Sequence, residues 1–117
     1  MEPPVALYTD DTLARYGFLD DHPLGNDRQG AFQREAGAQK LLSQVKVTAG
    51  RVATANEIAR FHSEAYIRDV ANAEAAGRTT LDAGDTPVFP DLYPVSAYVV
   101  GAALAGLALV MDGAVKR

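Results

Sequence analysis

LDAGDTPVFPDLYPVSAYVVGAALAGLALVMDG, Leu81 to Gly113, passes from a stiff polar loop into an almost unbroken apolar run. Gly84, Pro87, Pro90 and Pro94 restrict or redirect the backbone of a loop that also presents Asp82, Asp85 and Asp91. From Ala97 to Met111 there is no charge. As a helix that run would extend about 22 Å at 1.5 Å per residue, short of the roughly 30 Å hydrocarbon core of a bilayer. Gly101 and Gly106 interrupt it, and Pro94 suits a helix start. The expectation is therefore a buried helix of a soluble fold, with no membrane partner. Its small residues, Gly101, Ala102, Ala105, Gly106 and Ala108, would let another backbone approach closely, either a sheet or a symmetry mate.

Working outward, the remaining chain alternates strand and helix patterns. Val5 to Thr9, VALYT, is β-branched and aromatic and bounded by Pro3-Pro4 and Asp10-Asp11, which reads as a first strand. Between Asp27 and Gln44 the apolar positions Ala31, Phe32, Ala36, Leu41 and Leu42 form one helical stripe, continued by Val45. Val45 to Val52 alternates with period two and reads as a second strand with a break at Gly50. Thr54-Ala55-Asn56-Glu57 has the form of a capping box, so a helix starts near Ala55. Ser63 can cap a further helix running to about Ala76, with Gly77 as its stop. This order predicts a single α/β domain over residues 1–117, a small parallel sheet flanked by three or four helices.

Composition excludes several classes. A net charge of -4 with scattered basic residues lacks the electrostatic footprint of a nucleic-acid binder. Without cysteine there is neither a disulfide framework nor a thiolate zinc site. The start, MEPPVALYTDD, does not have the basic-then-apolar pattern of a signal peptide, so a cytoplasmic location is expected.

Three motifs then occur in order. His22-Pro23-Leu24 with Arg28 resembles the His-Pro-x-x-x-x-Arg signature near the start of the histone deacetylase and acetoin-utilisation deacetylase family. His62-Ser63-Glu64-Ala65-Tyr66-Ile67 resembles its His-Ser-x-x-Tyr-Ile motif, and Gly84-Asp85-Thr86-Pro87 its Gly-Asp-Thr-Pro loop. The alanine-, glycine- and valine-rich helix follows where such a chain has one. The resemblance implies a partial arginase/deacetylase-like three-layer fold, in which complete members use a zinc-bound water to cleave an acetyl amide. It implies that Asp85 is the rim carboxylate that accepts amide hydrogens of the substrate backbone, a task that needs the fixed geometry supplied by Gly84 and the prolines. Arg28 would line the internal channel beyond the metal, and His22 and Pro23 would shape the turn leading there. Gly25-Asn26-Asp27 departs from the usual basic, proline-containing spacer.

The same resemblance implies what the chain should lack. The paired catalytic histidines, the zinc ligands and the transition-state tyrosine of the family follow the apolar helix, so the sequence reads as the first third of a deacetylase, truncated before its zinc ligands. The residue inventory agrees, because catalytic zinc takes three protein ligands and histidine occurs only at 22 and 62. Asp20-Asp21-His22 reads better as a solvated turn than as a metal site. His62, Ser63 and Glu64 are adjacent and face different ways on a helix, so His62 is expected at a helix junction. Tyr66, Tyr93 and Tyr98 are expected to pack. Two function classes follow: a non-catalytic deacetylase-like chain, self-associating through the 97–111 helix, or one piece of a zinc-dependent deacetylase completed by a complementary chain.

Overall fold

The computed structural model describes residues 3–18, 21–25 and 27–117. Strand β1 spans Ala6–Tyr8, helix α1 Arg28–Ala38, strand β2 Lys46–Thr48, α2 Ala55–Ile58, α3 Glu64–Ala73 and α4 Leu92–Met111, with 3₁₀ turns at Leu13–Arg15 and Leu42–Gln44. The two strands pair in parallel, Ala6 opposite Lys46, Leu7 opposite Val47 and Tyr8 opposite Thr48. On the other edge of β1, Ala6 N donates to Arg117 O at 2.9 Å, and Lys116 N and Arg117 N both reach Pro4 O, at 2.7 and 3.3 Å. Residues 115–117 thus run beside the start of β1, anchored by the buried Val115. The α/β class with a small parallel sheet and four helices is as the sequence predicts, although both strands are shorter than Val5–Thr9 and Val45–Val52.

The helix boundaries follow local chemistry. At α2 the Thr54 hydroxyl accepts from Glu57 N at 3.1 Å while the Glu57 carboxylate accepts from Thr54 N at 3.0 Å, the reciprocal pair read from the sequence. The Ser63 hydroxyl accepts from Tyr66 N at 3.2 Å and starts α3. Gly77, at φ 72°, lets the chain reverse, and Arg78 N reaches back to Ala73 O. Helix α1 corrects the expectation of one stripe from Asp27 to Gln44, because Lys40 adopts φ 59°. Leu41 N then bonds Ala36 O and Lys40 N bonds Gly37 O, a Schellman termination with lysine in the left-handed position that glycine usually takes. Leu41 consequently leaves the stripe and is exposed.

Helix α4 starts at Leu92, five residues before Ala97, so Pro94 lies inside its first turn, where a missing N–H costs nothing. At 20 residues it is long and apolar enough to cross a membrane, which removes the length argument made from residues 97–111. Its N-terminal half instead carries the core. Leu92 and Val95 are fully buried with Phe18 and Phe89, and Tyr16, Val70, Leu81 and Val88 pack around them. Gly101 admits the strand-like segment 51–53 against the helix: Ala53 N donates to Ala97 O at 2.9 Å, and a side chain at 101 would run into the Arg51 carbonyl.

The molecule is a slab of 49 × 33 × 18 Å with a radius of gyration of 16.1 Å. A folded chain of this length ordinarily has a radius of gyration of about 13 Å. Its thinnest dimension leaves room for about two layers, so one face of the apolar helix lies open.

Candidate functional site

The loop between α3 and α4 is organised by Asp82. Its carboxylate accepts from Gly84 N at 2.9 Å, Thr86 N at 3.0 Å and the Thr86 hydroxyl at 2.6 Å. Those bonds, the Thr86 hydroxyl first and the two amides after it, pull the Asp82 carboxyl down to about 2. Gly84 sits at φ 140°, a conformation that a side chain would strain. Thr80 and Pro87 bridge the base of the loop, and Val88 N donates to Thr79 O. Because Asp82 serves the turn, the Asp85 carboxylate is left exposed to solvent.

His22 joins this loop to the other motif. Its Nε2 lies 2.9 Å from Asp85 O, and its Nδ1 accepts from Leu24 N at 3.0 Å. The ring packs on Phe18 with centroids 4.4 Å apart, and Phe18 stands edge-on to Phe89 at 5.9 Å. The aromatic core therefore carries the His-Pro turn and the turn carries the loop. Pro23 is exposed in that turn, and Pro87 is half-buried. Arg28 is the first residue of α1 and is exposed. Asp20 and Asn26 lie outside the described residues.

The third motif contributes a wall rather than a catalytic group. His62 is exposed at the α2–α3 junction, as its place in the sequence suggests, with its ring 5.2 Å from that of Tyr66. The Ser63 hydroxyl is engaged in capping α3. His62, Tyr66, Val70, Leu81, Tyr93 and Val100 line an apolar groove of about 320 Å³ between α3 and α4, which Tyr16 and Thr86 also border. Two of the three motifs thus meet through a hydrogen bond, and the third shares a groove with the Asp85 loop through Thr86.

The histone deacetylase domain matches residues 22–117, from the His-Pro turn to the segment beside β1. The chain belongs to the histone deacetylase family. No curated protein matches it. The matched range begins at His22, so β1 lies outside it, as do Tyr16 and Phe18 although they belong to the aromatic core of the deacetylase-family chain.

Zinc, which the family uses, does not fit the described residues of this chain. Among them no three histidine, aspartate or glutamate side chains come together so that they could hold a metal ion. Both ring nitrogens of His22 already have partners.

Some polar contacts carry no mark in the sequence. Tyr98 donates its hydroxyl to Asp10, whose carboxylate also accepts from Leu13 N at 2.8 Å and Gly50 N at 3.5 Å. Partial burial works to raise the Asp10 pKa, and the bonds from Tyr98, Leu13 and Gly50 together outweigh it and hold the carboxyl below its usual value. The same hydrogen bond raises the Tyr98 hydroxyl above its ordinary value, with burial adding to it. Arg15 pairs with Asp91, and the Glu74 carboxylate accepts from Asp91 N at 2.7 Å, fixing a left-handed residue at the entry to α4. The Asp82–Gly84–Thr86 spacing is the one signal of an aspartate-centred turn that could have been read.

Proposed function

We propose that this chain, as it stands, is a non-catalytic deacetylase-like unit that self-associates through α4. The observation that carries this reading is the uncovered apolar surface of that helix. Val99, Leu107, Val110 and Met111 are exposed, Leu107 by 57% and Met111 by 76%. Val100, Leu104 and Leu109 are only half-buried. Burying a side chain of this kind is worth roughly 1.5–3 kcal/mol, so four of them about half covered forgo about 3–6 kcal/mol. That is comparable with the whole stability of a small domain. The accessible surface is 7868 Å², roughly 1,700 Å² more than a folded monomer of this mass usually exposes. A standard interface takes about 800 Å² from each partner, so the excess is ample for one two-fold contact. Ala105 and Ala108 would permit close approach of a second α4, whereas Gly101 already faces segment 51–53 and Gly106 faces Tyr8.

The non-catalytic part of the reading rests on the chain's own donors, with histidine only at 22 and 62 and no thiol. The expected result is that purified chain does not hydrolyse acetyl-lysine or acetyl-polyamine substrates, with or without added zinc. Turnover above a buffer control that survives repurification would overturn it.

A second reading is favoured by the state of the Asp85 loop. It is already held by Asp82 and His22, with the Asp85 carboxylate free in solvent, as a rim that grips the substrate backbone would require. On that reading the chain is one piece of a zinc-dependent deacetylase, with Asp85 at the rim and Arg28 toward the channel, active once a complementary chain supplies the ligands. Zinc uptake and activity that arise only after that chain is added would select it.

A further inference from the structure

The two bonds of His22 fix its chemical state. A backbone N–H can only donate, so Nδ1, which faces Leu24 N at 3.0 Å, must present a lone pair. A backbone carbonyl can only accept, so Nε2, 2.9 Å from Asp85 O, must carry the proton. One of the three forms of imidazole satisfies both, the neutral Nε2–H tautomer. The Nδ1–H tautomer loses both bonds. The imidazolium keeps the bond to Asp85 O but sets an N–H against the Leu24 N–H.

We propose that His22 is a tautomer-locked latch that ties the His-Pro turn to the carbonyl of Asp85 and loosens on the turn side when it is protonated. It acts through Asp85 and is a positioning residue. The ring is held in place for this by Phe18, 4.4 Å away, which is itself buried at 4% exposure in the aromatic core. Below the latch, Asp82 supports the loop from the opposite end through Gly84 and Thr86. The Asp85–Thr86 peptide is thus pinned on both sides, at Asp85 O by His22 and at Thr86 N by Asp82. Among the described residues, the charged groups on the two joined segments are the carboxylates of Asp21 on the turn and of Asp82 and Asp85 on the loop, while the Phe18 ring brings none. The latch stands on these bonds and does not depend on the role proposed for Asp85.

Two substitutions separate its two halves. His22→Asn keeps an acceptor near Nδ1 and removes the reach to Asp85, whereas His22→Gln keeps a donor near Nε2 and removes the acceptor for Leu24. In the full chain, nitrogen-15 spectra of the imidazole should show the neutral Nε2–H form at pH 8. Where added acid converts the ring to imidazolium, the Leu24 amide should lose protection and the Thr86 amide should keep it. Amide exchange at Leu24 should accelerate roughly tenfold in His22→Gln, the scale of one lost hydrogen bond, with little change in His22→Asn. Exchange within 84–86 should show the opposite preference. A ring that merely packs on Phe18 would disturb both sites in both variants. That pattern, or an Nδ1–H or charged imidazole at pH 8, overturns the proposal.

Discussion

Replacing Gly101 by alanine sets two large effects against each other on one helix. Alanine is better than glycine in a helix interior by about 0.8–1.0 kcal/mol, so propensity alone predicts stabilisation. A methyl at 101, however, would overlap the Arg51 carbonyl oxygen and lie 2.7 Å from Arg51 C and 2.8 Å from Ala53 N. All three are backbone atoms, so no rotamer change relieves the contact. Segment 51–53 must move off the helix, breaking the bond from Ala53 N to Ala97 O and opening the buried Ala53. Overpacking costs about 1–3 kcal/mol, and a buried donor left without a partner about 1–3 kcal/mol more. Net destabilisation should be about 1–5 kcal/mol after the propensity gain, a drop in Tm on the order of 10 °C for a chain of this size. Gly106→Ala is the control, since its methyl would meet only the Tyr8 ring, at 3.3 Å, and a ring can shift. It should be neutral or slightly stabilising. Thermal and urea unfolding followed by helical circular dichroism measures both. Equal or greater stability for Gly101→Ala would refute the close approach of segment 51–53 to α4.

Other perturbations are as specific. Leu107→Glu should convert a dimer seen by light scattering at micromolar concentration into monomer, and a wild-type monomer mass would defeat the self-association reading. The Asp82 carboxyl is lowered from 3.8 to about 2, so its support of the loop is complete above pH 4 and should fade as pH falls toward 2; the Gly84 and Thr86 amide resonances should move together over that window. Tyr98→Phe should cost about 1–2 kcal/mol at pH 7 by removing one charge-assisted bond to Asp10, read by urea denaturation. Because the Tyr98 pKa is raised and the Asp10 pKa lowered, the stabilisation from that bond is full between about pH 4 and pH 10 and should be lost at higher pH as Tyr98 ionises and at lower pH as Asp10 is protonated. Thr54→Ala should cost about 1 kcal/mol by opening the capping box, measured in the same way.

The features that sequence pattern revealed are those written in local side-chain chemistry. Thr54 with Glu57, Ser63 and Gly77 each carry their structural role in their residue type, and the helix starts and stops follow them. Lys40 hid the end of α1 because a lysine in a left-handed conformation has no compositional mark. The extra turn of α4 escaped because Pro94 suggested a boundary, while a proline in the first turn is equally stable. The three motifs located the candidate site, yet composition could not tell that Asp82, and not Asp85, would organise the loop. The long-range contacts, Tyr98 to Asp10 and Asp85 to His22, were out of reach because nothing in either partner's neighbourhood names the other.

The place of β1 between β2 and residues 115–117 has a consequence for the order of folding. Each helix closes through bonds within a few residues, whereas β1 pairs with a strand about 40 residues away and a segment about 110 residues away, contacts whose loop-closure entropy delays them. During synthesis, Ala6–Tyr8 can pair with β2 once Thr48 has emerged, but its other edge must wait, unpaired, until α4 has been made. An unpaired strand is a template for adventitious pairing with other chains. Pro3 and Pro4 stand one residue before it, and a proline has no N–H to offer such a ladder. The pair thereby limits how far a foreign strand could extend its pairing past Val5 while that edge is open.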